Sequence, residues 1–212
     1  MKISFILTGE GSSDLKLVDH IQNLLIEEGF SEVSGEAPDL GLFKKHVGHS
    51  VRAKLRVLKQ NYPNIDLVFI HRDADNAGLA AREAEINAAA EGLFESGRVI
   101  PIIPVTMLET WLLADVEAIH AVAGGNPKNE LRKMPALRRL EDIRNTKSLL
   151  EEVLCEASQT QGGRLKKFKK RFTEMRARLA YDLSPDGPVK QLASYQHFRD
   201  RLSEFSKKLL QE

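Results

Sequence analysis

The chain has 212 residues, 42% hydrophobic and 29% charged, enough to bury one enlarged α/β domain or a domain with an appendage. Its formal net charge of +1 excludes a polycation, so any nucleic-acid affinity must come from a local patch. The single cysteine, Cys155, excludes an internal disulfide and fits a reducing cytosol.

The first apolar run, KISFILT (2–8), has strand length, and Gly9 and Gly11 bound it. Its unbroken apolar character predicts a strand covered on both faces, as in a parallel sheet. It is too short for the core of a signal peptide, and the acids Glu10 and Asp14 follow it, so it reads as a strand and not a leader. Ser12 or Ser13 caps the next helix, whose positions Leu15, Val18, Ile21, Leu24 and Leu25 keep helical spacing up to Gly29. Residues 31–36 predict a short second strand. Ser50 opens a helix with Val51, Leu55 and Leu58 inward, ending at Tyr62-Pro63. IDLVFIH (65–71) is the third strand, and a helix rich in alanine runs from about Leu79 to Glu95, closed by Gly97. RVIPIIPV (98–105) is a fourth strand, whose two prolines predict an edge position or a bend. Residues 107–122 read as one helix.

This alternation argues for an α/β fold: a parallel sheet with helices on both faces over residues 1–124. Residues 125–212 read as an all-helical C-terminal region packed back on that domain, with segments near 135–143, 146–158, 164–181 and 188–210. No segment reaches the ~20 apolar residues of a spanning helix, so the expectation is a cytoplasmic protein without a membrane partner.

FIHRDADN (69–76) sets three ionisable groups straight after a strand. A kinase loop would place its asparagine five residues after the aspartate, whereas Asn76 comes three after Asp73; no G-x-G-x-x-G or D-F-G is present. TGEGSSD lacks the G-K-[ST] of a phosphate loop. The D-x-D of Asp73 and Asp75 gains meaning from the other strand ends. Functional groups of an open parallel sheet gather beyond its carboxyl ends. Glu10 and Asp14 follow the first strand, Asp73 and Asp75 the third, and Glu109 the fourth. Converging carboxylates repel unless a cation sits between them, and a hard ion such as Mg²⁺ or Mn²⁺ suits oxygen ligands.

G-E-G-S-S-D after the first strand resembles the E-G-x-S-D signature of toprim domains, and D-A-D after the third resembles their D-x-D. Toprim domains occur in topoisomerases, bacterial primases, small ribosomal-RNA maturases and the nucleases that overcome lysogenisation defects. The likeness covers about residues 1–120. MLETWLLAD (107–115) and the helical tail look most like stand-alone toprim-like proteins, some of whose relatives sit in phage-defence loci. The resemblance implies that Glu10 is a metal ligand or general acid/base, that Asp73 and Asp75 hold the metal, and that Asp14 is a second acidic ligand. It implies a toprim-type nuclease, with a non-hydrolytic subunit for nucleic acid, nucleotide or a partner ATPase as the alternative. A second copy of the chain is a further candidate partner. No tyrosine-bearing topoisomerase domain is attached, and His71 stands where many toprim sequences carry an aspartate or small residue.

Each site residue also has a plain reading. Glu10 and Asp14 suit the start of a helix, where the dipole favours acids. DADN suits a turn that caps the next helix. Trp111 beside Leu108 and Leu112 reads as core, His71 as a structural neighbour of the acids or a phosphate contact, and Arg72 as either their salt-bridge partner or a nucleic-acid contact. The segment 163–180 carries eight basic residues and one acid between Arg164 and Arg178, with an apolar stripe of Leu165, Phe168, Phe172, Met175 and Leu179. Arg164, Lys166, Lys167, Lys169, Lys170 and Arg171 are the candidate contacts to a DNA or RNA backbone. The rivals are a solvated face and an acidic protein partner.

Overall fold

A computed structural model describes residues 1–9, 14–43 and 47–211, with Asp14 and Leu15 described in their backbone alone. Glu10 and the cap residues Ser12 and Ser13 lie outside the described residues. The four strands are β1 (Lys2–Thr8), β2 (Glu32–Glu36), β3 (Leu67–His71) and β4 (Val99–Ile102). They form one parallel sheet in the order β2-β1-β3-β4. The fold is therefore α/β with a helical C-terminal region, as the element order predicts. β4 is an edge strand, the place where Pro101 and its missing N–H are tolerated. On β2 a side chain at Gly35 would run into the Phe5 ring of β1, with a Cβ only 2.1 Å from it.

Alternation along the strands divides the core in two. Ile6, Val68, Ile70 and Val99 meet α2 (Val51–Asn61) and α3 (Leu79–Ala90) on one face. Phe5, Leu7, Phe69, Ile100 and Ile102 meet the larger layer on the other. That layer contains α1 (Val18–Glu27), α4 (Glu109–Leu112), α5 (Val116–Ala123), α6 (Thr146–Ser158), α7 (Gly162–Lys169), α8 (Phe172–Tyr181) and α9 (Ala193–Gln211). The C-terminal helices thus share one core with the sheet: Phe198 of α9 meets Phe69 of β3 with ring centroids 6.2 Å apart. Trp111 is buried as expected, edge-on to Tyr195 at 5.0 Å, and its Nε1–H donates to Ser194 Oγ at 2.8 Å.

Several boundaries differ from the sequence reading. The helix expected over 107–122 is split into α4 and α5, because the Asp115 side chain accepts from Ala118 N (3.0 Å) and starts α5 afresh. The expected 163–180 helix is broken at Lys170–Arg171 into α7 and α8, although the apolar stripe continues across the break. The alanine-rich helix ends at Ala90, where Gly92 adopts φ +72. Residues Leu137–Asp142 form a 3₁₀ helix, and 188–210 divides into a 3₁₀ turn at Pro188–Gln191 and α9. Glu141 caps α9 from afar, accepting from Ala193 N and Ser194 N at 2.9 and 2.8 Å. Among the described residues, no helix is long and apolar enough to cross a membrane.

Candidate functional site

After β2 the chain recrosses β1 to lay down β3 on its other side. Between β1 and β3 the connections therefore leave in opposite directions, which opens a crevice beyond the carboxyl ends of these two strands. Thr8 and Gly9 of the β1 end, His49 just before α2, Lys54 of its first turn, and His71 and Arg72 of the β3 end line it. Lys54 Nζ donates to the Gly9 carbonyl at 2.6 Å, tying α2 to the exit of β1.

The β3–β4 ladder continues past its last regular residue: Arg72 N donates to Ile102 O (3.0 Å), Ala74 N to Pro104 O (3.1 Å) and Asp75 N to Thr106 O (3.1 Å). This extension carries the D-x-D pair. Asp73 Oδ1 accepts from Leu108 N at 3.1 Å, at the start of α4, and lies 3.5 Å from Nε2 of the buried His71. DADN therefore does not cap the next helix, α3, whose N-cap Gly78 has no side-chain bond; Asp73 instead binds the start of α4. Asp75 and its partner Thr106 both have positive φ, +46 and +62. For a β-branched threonine this costs about 1–3 kcal/mol, and such strain gathers where a site needs a fixed geometry. Hydrogen bonds hold it: Thr106 Oγ1 donates to Ile143 O (3.2 Å), and neighbouring Thr110 Oγ1 donates to Val105 O (2.8 Å).

Arg82 fastens the acidic loop to α3. Its Nε donates to Asp73 O (3.2 Å), one terminal nitrogen meets Asp75 Oδ2 (3.4 Å), and the other meets Glu85 (2.9 Å). Arg72 donates to both Glu85 oxygens at 3.2 Å. Burial raises the Glu85 pKa, but Arg82 and Arg72 outweigh it and hold the carboxyl below its usual range. Arg72 therefore belongs to the strand-end network and not to the α7 patch.

Glu109 sits at the start of α4, almost wholly buried, and accepts from Arg176 Nε of α8 at 2.7 Å. Its carboxylate, predicted as a metal ligand, is engaged by a guanidinium. Of Asp14 only the backbone is described, as the first residue of the 3₁₀ helix Asp14–Leu17, against which α8 packs. Glu10 lies outside the described residues. Among the described residues no three His, Cys, Asp or Glu groups cluster closely enough to hold an ion.

Arg164, Lys166, Lys167, Lys169, Lys170 and Arg171 are all exposed, so α7 and its junction with α8 form a cationic surface. Lys169 meets Glu151 at 3.6 Å and Arg171 meets Glu174 at 3.1 Å, both in solvent. Sequence reasoning missed Lys54, His49, Arg82, Glu85 and the Glu109–Arg176 pair. The strand order would have pointed to the first two, since it places the start of α2 at the crevice. The partners 67 residues apart in the Glu109–Arg176 pair leave no local signal. Comparison with family models, with curated proteins and with solved structures finds no match for this chain.

Proposed function

We propose that this chain is a toprim-like, Mg²⁺- or Mn²⁺-dependent phosphodiesterase that hydrolyses the backbone of a nucleic acid. The observation that carries this reading is the placement of Asp73 and Asp75 at the carboxyl edge of the sheet, on a strained extension of β3 beside the β1–β3 crevice. β1 ends at that same edge, and Glu10 follows one residue after Gly9.

The donor chemistry fits a small hard cation. Mg²⁺ is commonly held by one or two carboxylates, with waters and substrate phosphates completing its shell. Asp73 and Asp75 would supply those carboxylates, with Glu10 and Asp14 as the further acids that the toprim resemblance implies. A bound ion would polarise the phosphate and make water a better nucleophile. The chain's own groups do the positioning. Leu108 N–H fixes one oxygen of Asp73, and Arg82 grips the Asp73 carbonyl and the Asp75 carboxylate together. Arg82 also offsets the repulsion between the acids. Glu10 takes the part of general acid/base. The exposed lysines of α7 hold phosphates without reading bases.

One observation favours the alternative, a toprim-like subunit that binds nucleic acid, nucleotide or a partner ATPase without hydrolysis. Asp73 and Glu109 both serve local structure, one as a helix cap and the other as half of a buried ion pair. The deciding experiment incubates the pure protein with single- and double-stranded DNA and RNA in Mg²⁺ or Mn²⁺, with Glu10→Ala as control. Metal-dependent cleavage lost in Glu10→Ala supports the nuclease. Binding without cleavage under every metal leaves the subunit reading.

A further inference from the structure

Helix α8 carries a surface that the strand-end acids do not use. An open groove of about 450 Å³ runs between α5 and α8, within the range of about 300–1,000 Å³ that small organic groups occupy. Ala121, Val122 and the buried Met175 supply its apolar part, and Arg171 and Arg178 line it too. Both guanidiniums are held by carboxylates that share the groove, Arg171 by Glu174 and Arg178 by Asp182. A phosphate gains little where the cations are already paired. A flat, uncharged ring gains both the apolar surface and the guanidinium planes, on which bases stack.

Tyr181 follows three residues after Arg178 and so lies on the same side of α8. The Arg178 guanidinium packs over its ring, 5.2 Å from the centroid, yet Tyr181 stays 48% exposed. An aromatic ring backed by a cation and open to solvent is a platform for a nucleobase. α8 spans ten residues, about 15 Å, and that is the distance from this platform to Lys170 and the exposed lysines of α7.

We propose that Tyr181 and the α5–α8 groove beside it stack unpaired bases, so that a nucleic acid held by α7 is single-stranded where it meets α8. The inference rests on the nucleic-acid reading above and names its substrate class. α7 grips phosphates, which strands and duplexes both offer. Tyr181 and Arg178 reach only bases that have left a helix, because the bases of a duplex are stacked on one another. An acidic protein segment would be drawn to α7 but would gain nothing from a groove whose charges are paired.

The test reads binding without metal, so it does not depend on cleavage. A labelled oligothymidylate, a strand of the same length with abasic sites throughout, and a duplex of that length are titrated by fluorescence anisotropy. Each is run against wild type, Tyr181→Ala and Tyr181→Phe. Wild type binds the base-bearing strand about five- to 150-fold more tightly than the abasic one, the effect of one stacked base. Tyr181→Ala loses most of that preference while binding the abasic strand and the duplex as wild type does. Tyr181→Phe keeps it, since the ring and not the hydroxyl stacks. The preference persists as salt rises, because stacking releases no counterions. The proposal is overturned, with the nuclease reading untouched, if wild type binds base-bearing and abasic strands alike or if Tyr181→Ala keeps the preference. Binding of no nucleic acid in any form overturns the nucleic-acid reading itself, and this inference with it.

Discussion

Helices α7 and α9 belong to the same C-terminal region and use their residues in opposite ways. α9 buries Tyr195, Phe198 and Leu202 against Trp111 and the sheet. α7 buries no residue fully and presents Arg164, Lys166, Lys167 and Lys169 to solvent. One helix makes the fold and the other leaves a charged surface on it. The joint between the two functions is α8, which is basic like α7 yet sends Arg176 inward to Glu109 at the strand ends.

The largest effect is expected at α9. Phe198→Ala removes a ring that touches Phe69, Trp111 and Tyr195, and should destabilise by about 3–5 kcal/mol in a denaturant titration. A loss below about 1 kcal/mol would mean that α9 is not part of the core. Arg176→Met should come next, at about 3 kcal/mol, because it strands the Glu109 carboxylate in the interior. Adding Glu109→Gln should recover most of that loss. If the double variant is no more stable than the single, the pair is not coupled.

A smaller effect depends on pH. His20 of α1 is buried; Nδ1–H donates to Leu183 O (2.8 Å) and Nε2 accepts from the Tyr195 hydroxyl (2.9 Å), which requires the neutral ring. Burial lowers its pKa from 6.5 to about 4, the Leu183 bond opposing and Arg199 assisting. Between these values the unfolded chain binds the extra proton, so stability is complete above 6.5 and falls as pH drops towards 4. The share of His20 in the loss between pH 7.5 and 5 should be about 2 kcal/mol. His20→Gln should flatten the stability–pH curve over that window; an unchanged slope would assign the acid sensitivity elsewhere.

The smallest effect on stability is expected at α7. Changing Lys166, Lys167, Lys169 and Lys170 to glutamine should alter unfolding by less than about 0.5 kcal/mol, as exposed sites do. The same variant should lower the slope of log K against log salt for DNA by up to roughly 3, since fewer counterions are released. Unchanged binding at every salt concentration would make α7 a solvated face.

How much of this was legible follows from range. β1 and β3 stand out because strands buried on both faces read as unbroken apolar runs, and the acids stand out because they come directly after such runs. The N-cap at Ser50 was visible for the same local reason, and its oxygen accepts from Ala53 N at 3.2 Å. Asp115 was an equally local cap, hidden inside the apparently continuous spacing of Trp111, Leu112 and Val116. The break between α7 and α8 carries no glycine or proline to mark it. The His20–Tyr195 and Arg176–Glu109 contacts span 175 and 67 residues and appear only when helices meet. The crevice followed from strand order, which no single segment encodes.

The proposed function stands on Asp73 and Asp75 forming a cation site at the strand ends. Titration calorimetry with Mn²⁺ and Mg²⁺, on wild type and on the Asp73→Asn/Asp75→Asn double variant, addresses it without requiring turnover. Saturable binding to wild type that disappears in the double variant is the predicted result. The same isotherm in both proteins, with both folded, would place any ion elsewhere and remove the basis of the nuclease reading.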